Sequence, residues 1–453
     1  MEKNYILSHI DDLSAEQLAG EIVQGNVTLE ELRNTGNLDA TKRNKINSLI
    51  KAKDDADDKA WEIAKDGNES SLRDYITKFP NGRHVDEARQ EIDRLRNEKE
   101  ATYAQKAGII DKIKRNPNSY SPVEIEAYIA NGTLTKDELK SECGIPESAI
   151  DNLDKIVAPN LVLGKTPDSI PVGYTEVYFW RGTGSGKTCA LGAVLRVAEE
   201  QGYLRIATGP GYQYALQLKN IFSDDNVAND FLPPPTPVEN NQYLPFSLKK
   251  PKEKNSRSVS LIELSGEIFK CFFNKNAGIP FPTQSHADTF NSLSSFLKSD
   301  NRKLHFFFVD YDRENKPDAQ GLTQSDYLNA AATYFMNNKV FDKTTDAIYV
   351  VVTKSDLFID EDGNAIIGDN EKIKYAINYL LQKNYSSFIN SLKENCERYS
   401  INGGILKVLP FSLGKVYFKQ ICNFDGSEAS HIVDLLMERI RCSRKSILDV
   451  FNK

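Results

Sequence analysis

The chain has 453 residues, of which 40% are hydrophobic and 27% are charged, and at about 150 residues per domain it is long enough for two or three domains. Its 57 Lys and Arg against 64 Asp and Glu give a net charge of −7, so the basic footprint that a general nucleic-acid-binding protein needs is absent overall, and we expect no nucleic-acid partner. The six cysteines and five histidines are scattered, which argues against a zinc framework and against a disulfide scaffold.

No apolar run approaches the roughly 20 residues of a membrane span, and the first residues lack the basic and then apolar pattern of a signal peptide. We therefore expect a cytoplasmic protein. Residues 1–156 are predicted to be helical, because Gly and Pro fall at breaks and apolar residues recur at helical spacing. Within them, the charge run at 53–59 is predicted to be a solvated helix face.

An internal repeat lies in this helical region, with a constant offset of 107 residues. In each copy the pattern predicts a helix closed by Gly, a Thr N-cap and a second helix with an acidic first turn. The matched residues are Ile22, Gly25, Thr28, Glu31 and Leu32 in the first copy and Ile129, Gly132, Thr135, Glu138 and Leu139 in the second.

Between the two copies, residues 60–95 place apolar side chains on one face before and after a Pro80-Asn81-Gly82 turn. This stretch resembles a single tetratricopeptide-like helical pair, and one such unit cannot bury its apolar face alone. Since no catalytic constellation appears here, we expect residues 1–156 to dock a protein partner. The alternative is an ordinary helical subdomain packed on the rest of the chain.

A linker rich in Pro and Gly is predicted over 157–172, and residues 173–453 are predicted to form a second domain. There, apolar strands alternate with helices, which predicts an α/β fold with a mostly parallel sheet. The predicted strands are residues 175–180, 204–209, 260–264, 303–310, 347–353 and 405–411.

The strongest local motif is RGTGSGKT at 181–188, directly after the first strand. Small residues let successive backbone N–H groups converge on phosphate oxygens. Lys187 would reach the β- and γ-phosphates, and the Thr188 hydroxyl would bind Mg²⁺. Arg181 replaces the first Gly of the G-x-x-x-x-G-K-[ST] pattern, where it is either tolerated with negative φ or crowds the loop. The other predicted phosphate-binding residues are Gly182, Thr183, Gly184, Ser185 and Gly186.

A second motif, TKSD at 353–356, follows the most apolar strand. Guanine presents two donors on one edge, which the Asp356 carboxylate could accept together. The Lys354 stem would pack along the base and Thr353 would join this turn to the phosphate loop. Further on, the backbone N–H of Ser412 could contact the guanine O6. The alternative is a solvated turn at a strand end.

Together these motifs make residues 173–442 resemble a P-loop GTPase of the Ras-like, translation-factor-related class. The sequences ELSGE and FSLG also resemble the divergent GTPases of bacterial conflict and defence loci, the double-GTPase group. The resemblance implies a three-layer P-loop domain that binds GTP or GDP with Mg²⁺. It also implies a molecular switch, whose protein partner we expect on the N-terminal helices described above.

The same resemblance assigns further site residues. Glu263 would hold Mg²⁺ through water, and the Gly266 N–H would approach the γ-phosphate. Glu267 would orient the attacking water. Gly266 and Lys187 are the other two predicted catalytic residues. Because the negative charge of Glu267 near a phosphate is unfavourable, we expect slow hydrolysis. Thr236 is the candidate for the second Mg²⁺-binding threonine; the alternative is an incidental residue of a Pro-rich surface loop.

Two other functions stay open at this stage. In a P-loop ATPase, Asp310 would be the Walker B aspartate and Glu314 the base, and TKSD would be an unrelated turn. In a hydrolysis-deficient scaffold, Arg181 and Glu267 would prevent turnover. Base preference distinguishes the GTPase from the ATPase, and turnover distinguishes both from the scaffold. The sequence does not identify the partner or the oligomeric state.

Overall fold

The computed structural model divides the chain into two compact units, Met1–Ile109 and Ile110–Lys453. The linker predicted over 157–172 falls mostly on residues outside the described ranges. Among the described residues, no helix combines the length and the apolar character that a bilayer crossing needs. The structure describes residues 2–36, 38–155, 161–162, 169–180, 186–209, 211–222, 232–233, 242–313, 316–382 and 385–440.

The first unit consists of helices around two apolar clusters. Leu18 and Ile46 belong to the cluster of the first four helices, and Leu72 and Ala88 belong to the cluster of the fourth to sixth. The sixth helix continues into the second unit. The helices are α1 Lys3–Ser8, α2 Ala15–Val23, α3 Leu29–Asn34, α4 Ala40–Ala64, α5 Glu69–Lys78 and α6 Val85–Arg115.

The charge run at 53–59 is only partly the solvated face that the sequence predicts. Asp57 is 5% exposed, and its carboxylate accepts hydrogen bonds from the Tyr75 hydroxyl at 2.5 Å and the Arg83 N–H at 2.7 Å. A buried carboxylate is tolerated where hydrogen bonds replace those of water. A short charge run does not reveal which of its members faces the neighbouring helix.

Both copies of the predicted repeat have the expected local structure. Thr28 Oγ1 accepts the N–H of Glu31 at 3.1 Å, and the Glu31 carboxylate accepts the N–H of Thr28 at 3.0 Å. Thr135 and Glu138 make the same two bonds at 3.2 and 2.9 Å. The glycine three positions before each threonine has φ of 77° or 76°. The predicted threonine caps, each worth about 1 kcal/mol, are therefore confirmed.

The second unit begins with the end of α6 and a helical segment, and then forms a seven-stranded sheet. The segment contains α7 Pro122–Ala130, α8 Lys136–Ser141, α9 Glu147–Asp151 and a short 3-10 helix Leu153–Lys155. The strands are β1 Thr175–Trp180, β2 Leu204–Ile206, β3 Gln242–Leu248, β4 Arg257–Glu263, β5 Arg302–Asp310, β6 Thr345–Thr353 and β7 Lys407–Phe411.

The strand order is β2-β3-β4-β1-β5-β6-β7. In the described part of the sheet, β3 runs antiparallel to β2 and β4, and the remaining pairs are parallel. The predicted mixed α/β fold with a mostly parallel sheet is confirmed for the described part of the chain.

Strand β3 was not predicted, because Pro245 interrupts its apolar pattern. Proline lacks an N–H and is rare inside a sheet. Here β2 pairs with β3 only from Phe246 to Leu248, and the Pro245 carbonyl accepts the N–H of Ala207 beyond the end of β2. Pro245, which lacks an N–H, thus lies outside the part of β3 that pairs with β2.

Alternate residues of β1 belong to two different apolar clusters. Val177 and Phe179 pack with the helices at 187–200, 212–220 and 427–439, and Tyr178 and Trp180 pack with five helices between 268 and 399. Strands buried on both faces read as continuous apolar runs. The remaining elements are α10 Lys187–Glu200, α11 Tyr212–Asn220, α12 Ile268–Ala277, α13 Gln284–Leu297, α14 Gln324–Asn337, α15 Asp369–Gln382, α16 Ser386–Tyr399, α17 Ser427–Arg439, the hairpin β8 Gly414–Tyr417 and β9 Gln420–Phe424, and 3-10 helices Tyr311–Arg313, Ser355–Leu357 and Ile401–Gly404.

The parallel strands all end at one edge of the sheet. Glu263 at the end of β4 is opposite Phe179 in β1, Asp310 is opposite Thr353, and Thr353 is opposite Phe411. In open α/β sheets, ligands bind in crevices outside the carboxyl ends of the strands. The predicted motifs follow these same ends.

Candidate functional site

The phosphate side of the candidate site begins where α10 starts. Residues 181–185 lie outside the described ranges, but Gly186 has φ of 80°, a backbone conformation that favours glycine. Lys187 is 1% exposed. Its ammonium donates to the Leu264 carbonyl and lies 3.3 Å from Glu263 Oε1. The start of α10 therefore meets the end of β4.

Glu263 is fully buried and is held from three directions. Thr188 Oγ1 donates to Oε1 at 2.5 Å, the Tyr214 hydroxyl donates to Oε2 at 2.6 Å, and Lys187 provides the opposite charge. Burial raises the pKa of Glu263, but Lys187 and the hydrogen bonds outweigh burial and hold this pKa below its ordinary value. The carboxylate is therefore charged at neutral pH.

Acid stability tests this arrangement. A carboxylate whose pKa is lowered by folding stabilises the protein above the unfolded pKa, and this stability is lost as pH falls through the folded pKa. We expect Glu263→Gln to be less stable at neutral pH by about 3–5 kcal/mol, because Lys187 loses its buried partner. The variant should also lose less stability than wild type between about pH 5 and pH 3. Urea unfolding at each pH measures both stability differences. If the free energies of unfolding of the two proteins fell in parallel as pH decreased, the prediction would be contradicted.

The chemistry of the donors fits Mg²⁺. The Thr188 hydroxyl and the Glu263 carboxylate place hard oxygen atoms 2.5 Å apart, and Mg²⁺ in nucleotide sites is usually held by one or two protein oxygens together with substrate phosphates. Thr236, the other predicted Mg²⁺ residue, lies outside the described residues.

Gly266 and Glu267 follow β4 and border a cleft of about 210 Å³ that Arg313 also lines. The Glu267 N–H donates to Ser265 Oγ at 3.3 Å, and Glu267 Oε2 lies 2.7 Å from the Lys270 ammonium. The negative charge that the sequence analysis considers unfavourable near phosphate is thus partly balanced by Lys270.

The base side of the candidate site is formed by the turn after β6. The Thr353 hydroxyl donates to the Val309 carbonyl in β5 at 3.3 Å. Lys354 has φ of 62°, and its ammonium lies 3.0 Å from Asp310 Oδ1 and 3.5 Å from Asp312 Oδ2. Asp310 is fully buried, and its Oδ2 has no hydrogen-bond partner among the described residues. Lys354 is therefore anchored to the loop after β5.

Asp356 and Ser412 come together although they are 56 positions apart in sequence. The protein around the partly exposed Asp356 raises its pKa by desolvation, and the Ser412 hydroxyl acts in the opposite direction. Between Lys354 and Asp356, the Ser355 hydroxyl donates to Glu428 Oε2 at 2.7 Å. The start of α17 therefore holds this turn in place.

The predicted residues thus form two groups at one edge of the sheet, and five of them fall outside the described ranges. The phosphate-side group is Gly186, Lys187, Thr188 and Glu263, with Gly266 and Glu267 following. The base-side group is Thr353, Lys354, Asp356 and Ser412. Outside the described ranges lie Gly182, Thr183, Gly184, Ser185 and Thr236.

Sequence reasoning missed Tyr214 and Asp312, which each hold one of the predicted residues, and Glu428, which holds Ser355 between two of them. Tyr214 is 49 positions from Glu263, and Glu428 is 73 positions from Ser355. No motif marks them. Their roles depend on which helix or loop the fold brings to the strand ends.

No protein-family model matches the chain, and no curated protein matches it. Nineteen chains of solved structures do match. Among them is the GTPase-like domain of Ski7 from S. cerevisiae, bound to GTP, to which this chain is similar at 16% identity with a TM-score of 0.31. The match covers 62% of this chain and 55% of that one, so the chain spans about half the length of that relative.

Proposed function

We propose that this protein binds guanine nucleotides through a three-layer P-loop domain and acts as a slowly hydrolysing GTP switch. One observation carries the proposal. The buried group of Lys187, Thr188 and Glu263 and the pair Asp356 and Ser412 follow strand ends at the same edge of one sheet. A nucleotide has a phosphate end and a base end, and the two groups offer one set of partners for each.

At the phosphate end, Lys187 would bind the β- and γ-phosphates, and Thr188 with Glu263 would hold Mg²⁺. When bound, Mg²⁺ neutralises charge on the phosphate oxygens. The Gly266 N–H would contact the γ-phosphate. Glu267 would orient the attacking water, and its pairing with Lys270 supports this role by offsetting the charge that would repel the phosphate.

At the base end, Asp356 would accept the two guanine donors and the Ser412 N–H would contact O6. The Lys354 stem would lie along the base while its ammonium is held by Asp310. The contacts of Asp310 support this over the ATPase alternative. Thr188 donates to the Glu263 carboxylate at 2.5 Å, so Glu263 is the better candidate for the Mg²⁺ side.

The switch would act on a protein partner through the N-terminal helices. Within the first unit, a cleft of about 490 Å³ is lined by Trp61, His84, Arg83 and Asp58, and Trp61 stacks on His84 at 5.3 Å. Aromatic and arginine side chains at an open cleft are typical of binding surfaces. A role in a bacterial defence system is supported only by the resemblance of the ELSGE and FSLG motifs.

Calorimetry with GDP, GTP, ADP and ATP in the presence of Mg²⁺ tests the proposal. We expect guanine nucleotides to bind at least about 100-fold more tightly, which corresponds to about 2.7 kcal/mol. Preference for adenine nucleotides would instead indicate an ATPase with Asp310 as the Walker B aspartate. If no nucleotide bound, the scaffold would be the remaining alternative. Phosphate release from GTP then measures hydrolysis, which we expect to be slow.

A further inference from the structure

The turn that follows α6 contacts the base side of the candidate site at two places. Asn116 Nδ2 donates to Asp312 Oδ2 at 2.7 Å. Asn118 Nδ2 donates to the Val416 carbonyl at 2.9 Å, and its Oδ1 accepts the N–H of Lys419 at 2.7 Å. The Asn118 amide therefore joins β8 to the turn of the β8–β9 hairpin, and all these residues belong to the second unit.

Each asparagine contacts a loop or hairpin that in turn contacts a base-side residue. Asp312, which accepts from the first asparagine, lies 3.5 Å from the Lys354 ammonium. The hairpin held by the second asparagine starts at Gly414, whose N–H donates to the Ser412 hydroxyl at 3.0 Å. The two asparagines thus hold the loop after β5 and the hairpin after β7, and each of these contacts a base-side residue.

The hairpin needs this support, because its turn has an unfavourable backbone. Phe418 and Lys419 have φ of 50° and 64°, a region that residues other than glycine rarely adopt. Phe418 is fully buried, and the neighbouring Gln420 Nε2 donates to the Ala149 carbonyl at 2.8 Å. Contacts from the helical segment 110–155 therefore hold the turn from two sides.

We propose that Asn116 and Asn118 are positioning residues for the nucleotide base, and that segment 110–155 sets how long guanine nucleotides stay bound. The inference rests on the proposed function. Among the described residues, the asparagine side chains bond to the loop after β5 and to the hairpin and not to the phosphate-side group, so their loss should act on the base end. By linkage, a partner that displaces the segment weakens nucleotide binding, and bound nucleotide strengthens the docking of the segment by the same factor.

The test is the dissociation rate of fluorescent GDP from the full-length chain carrying Asn116→Ala and Asn118→Ala. We expect dissociation about tenfold faster than in wild type, within the usual range for coupling between sites, and a smaller preference for GDP over ADP. The matched control is Asn131→Ala, because Asn131 Oδ1 accepts the Thr133 N–H at 3.0 Å within its own loop. This control should release GDP at the wild-type rate.

A second variant, Asn116→Asp, keeps the size of the side chain and sets a carboxylate against Asp312. It should also speed GDP release, and more at low salt than at high salt because like charges repel. If both variants fold, as thermal unfolding reports, and release GDP at the wild-type rate, the positioning role is refuted while the proposed function stands. If wild-type protein does not bind GDP, the proposed function itself fails.

Discussion

Replacing Lys187 by alanine is expected to abolish nucleotide binding and to lower the free energy of unfolding by about 3–5 kcal/mol. The first effect follows from the loss of the cation for the β- and γ-phosphates. The second follows from burial, since Lys187 is 1% exposed and Glu263 is fully buried beside it. Without the lysine, an uncompensated charge remains in the interior.

The double variant Lys187→Ala with Glu263→Gln separates these two effects. It removes both buried charges, so we expect it to recover much of the lost stability and still not to bind GDP. Urea unfolding and calorimetry on the same preparations measure the two quantities. If Lys187→Ala bound GDP with wild-type affinity, the phosphate-loop assignment of residues 181–188 would be wrong.

Replacing Asp356 by asparagine is expected to change base preference from guanine to xanthine. The carboxylate would accept two guanine donors, whereas an amide offers one acceptor and one donor, which suits the extra carbonyl of xanthine. We expect the affinity for GDP to fall by about 100-fold, or about 2.7 kcal/mol, and the affinity for xanthosine diphosphate to rise. Calorimetry with both nucleotides measures the change.

Asp360→Asn is the matched control, because it makes the same substitution four residues further along the chain. Asp360 Oδ1 accepts the N–H groups of Asp362 at 3.0 Å and Asn364 at 2.8 Å within its own loop. This variant should keep the wild-type preference for GDP. An unchanged base preference in Asp356→Asn would show that TKSD does not read the base.

The features that the sequence predicts correctly depend on near neighbours in the chain. The Thr28 and Thr135 caps are visible because each threonine and its glutamate are three residues apart. The parallel strands are visible because residues buried on both faces form continuous apolar runs. Strand β3 was missed because Pro245 is a local signal against a strand, and only the short length of β2 makes it acceptable.

The features that the sequence misses depend on distance in space. Asn116 and Asp312 are 196 residues apart, and no spacing rule connects them. Asp57 was predicted to be solvated because its neighbours are charged, although the buried bond to Tyr75 decides its place. For the candidate site, the motifs predict which residues take part, and the fold supplies the side chains that hold them, among them Tyr214.

The two helical hairpins whose sequences match at an offset of 107 residues can be compared position by position. Leu18 and Ile125, at equal positions in the two copies, are both fully buried, so their apolar character is what any such hairpin requires. One position later, Ala19 is 1% exposed while Glu126 is only half-buried. Positions that differ in burial between the two hairpins reflect the different packing around each hairpin. Exchanging single residues between the two hairpins would therefore distinguish residues that the hairpin itself requires from residues that its surroundings require. Both hairpins belong to the same molecule, so each exchange is compared under the same conditions.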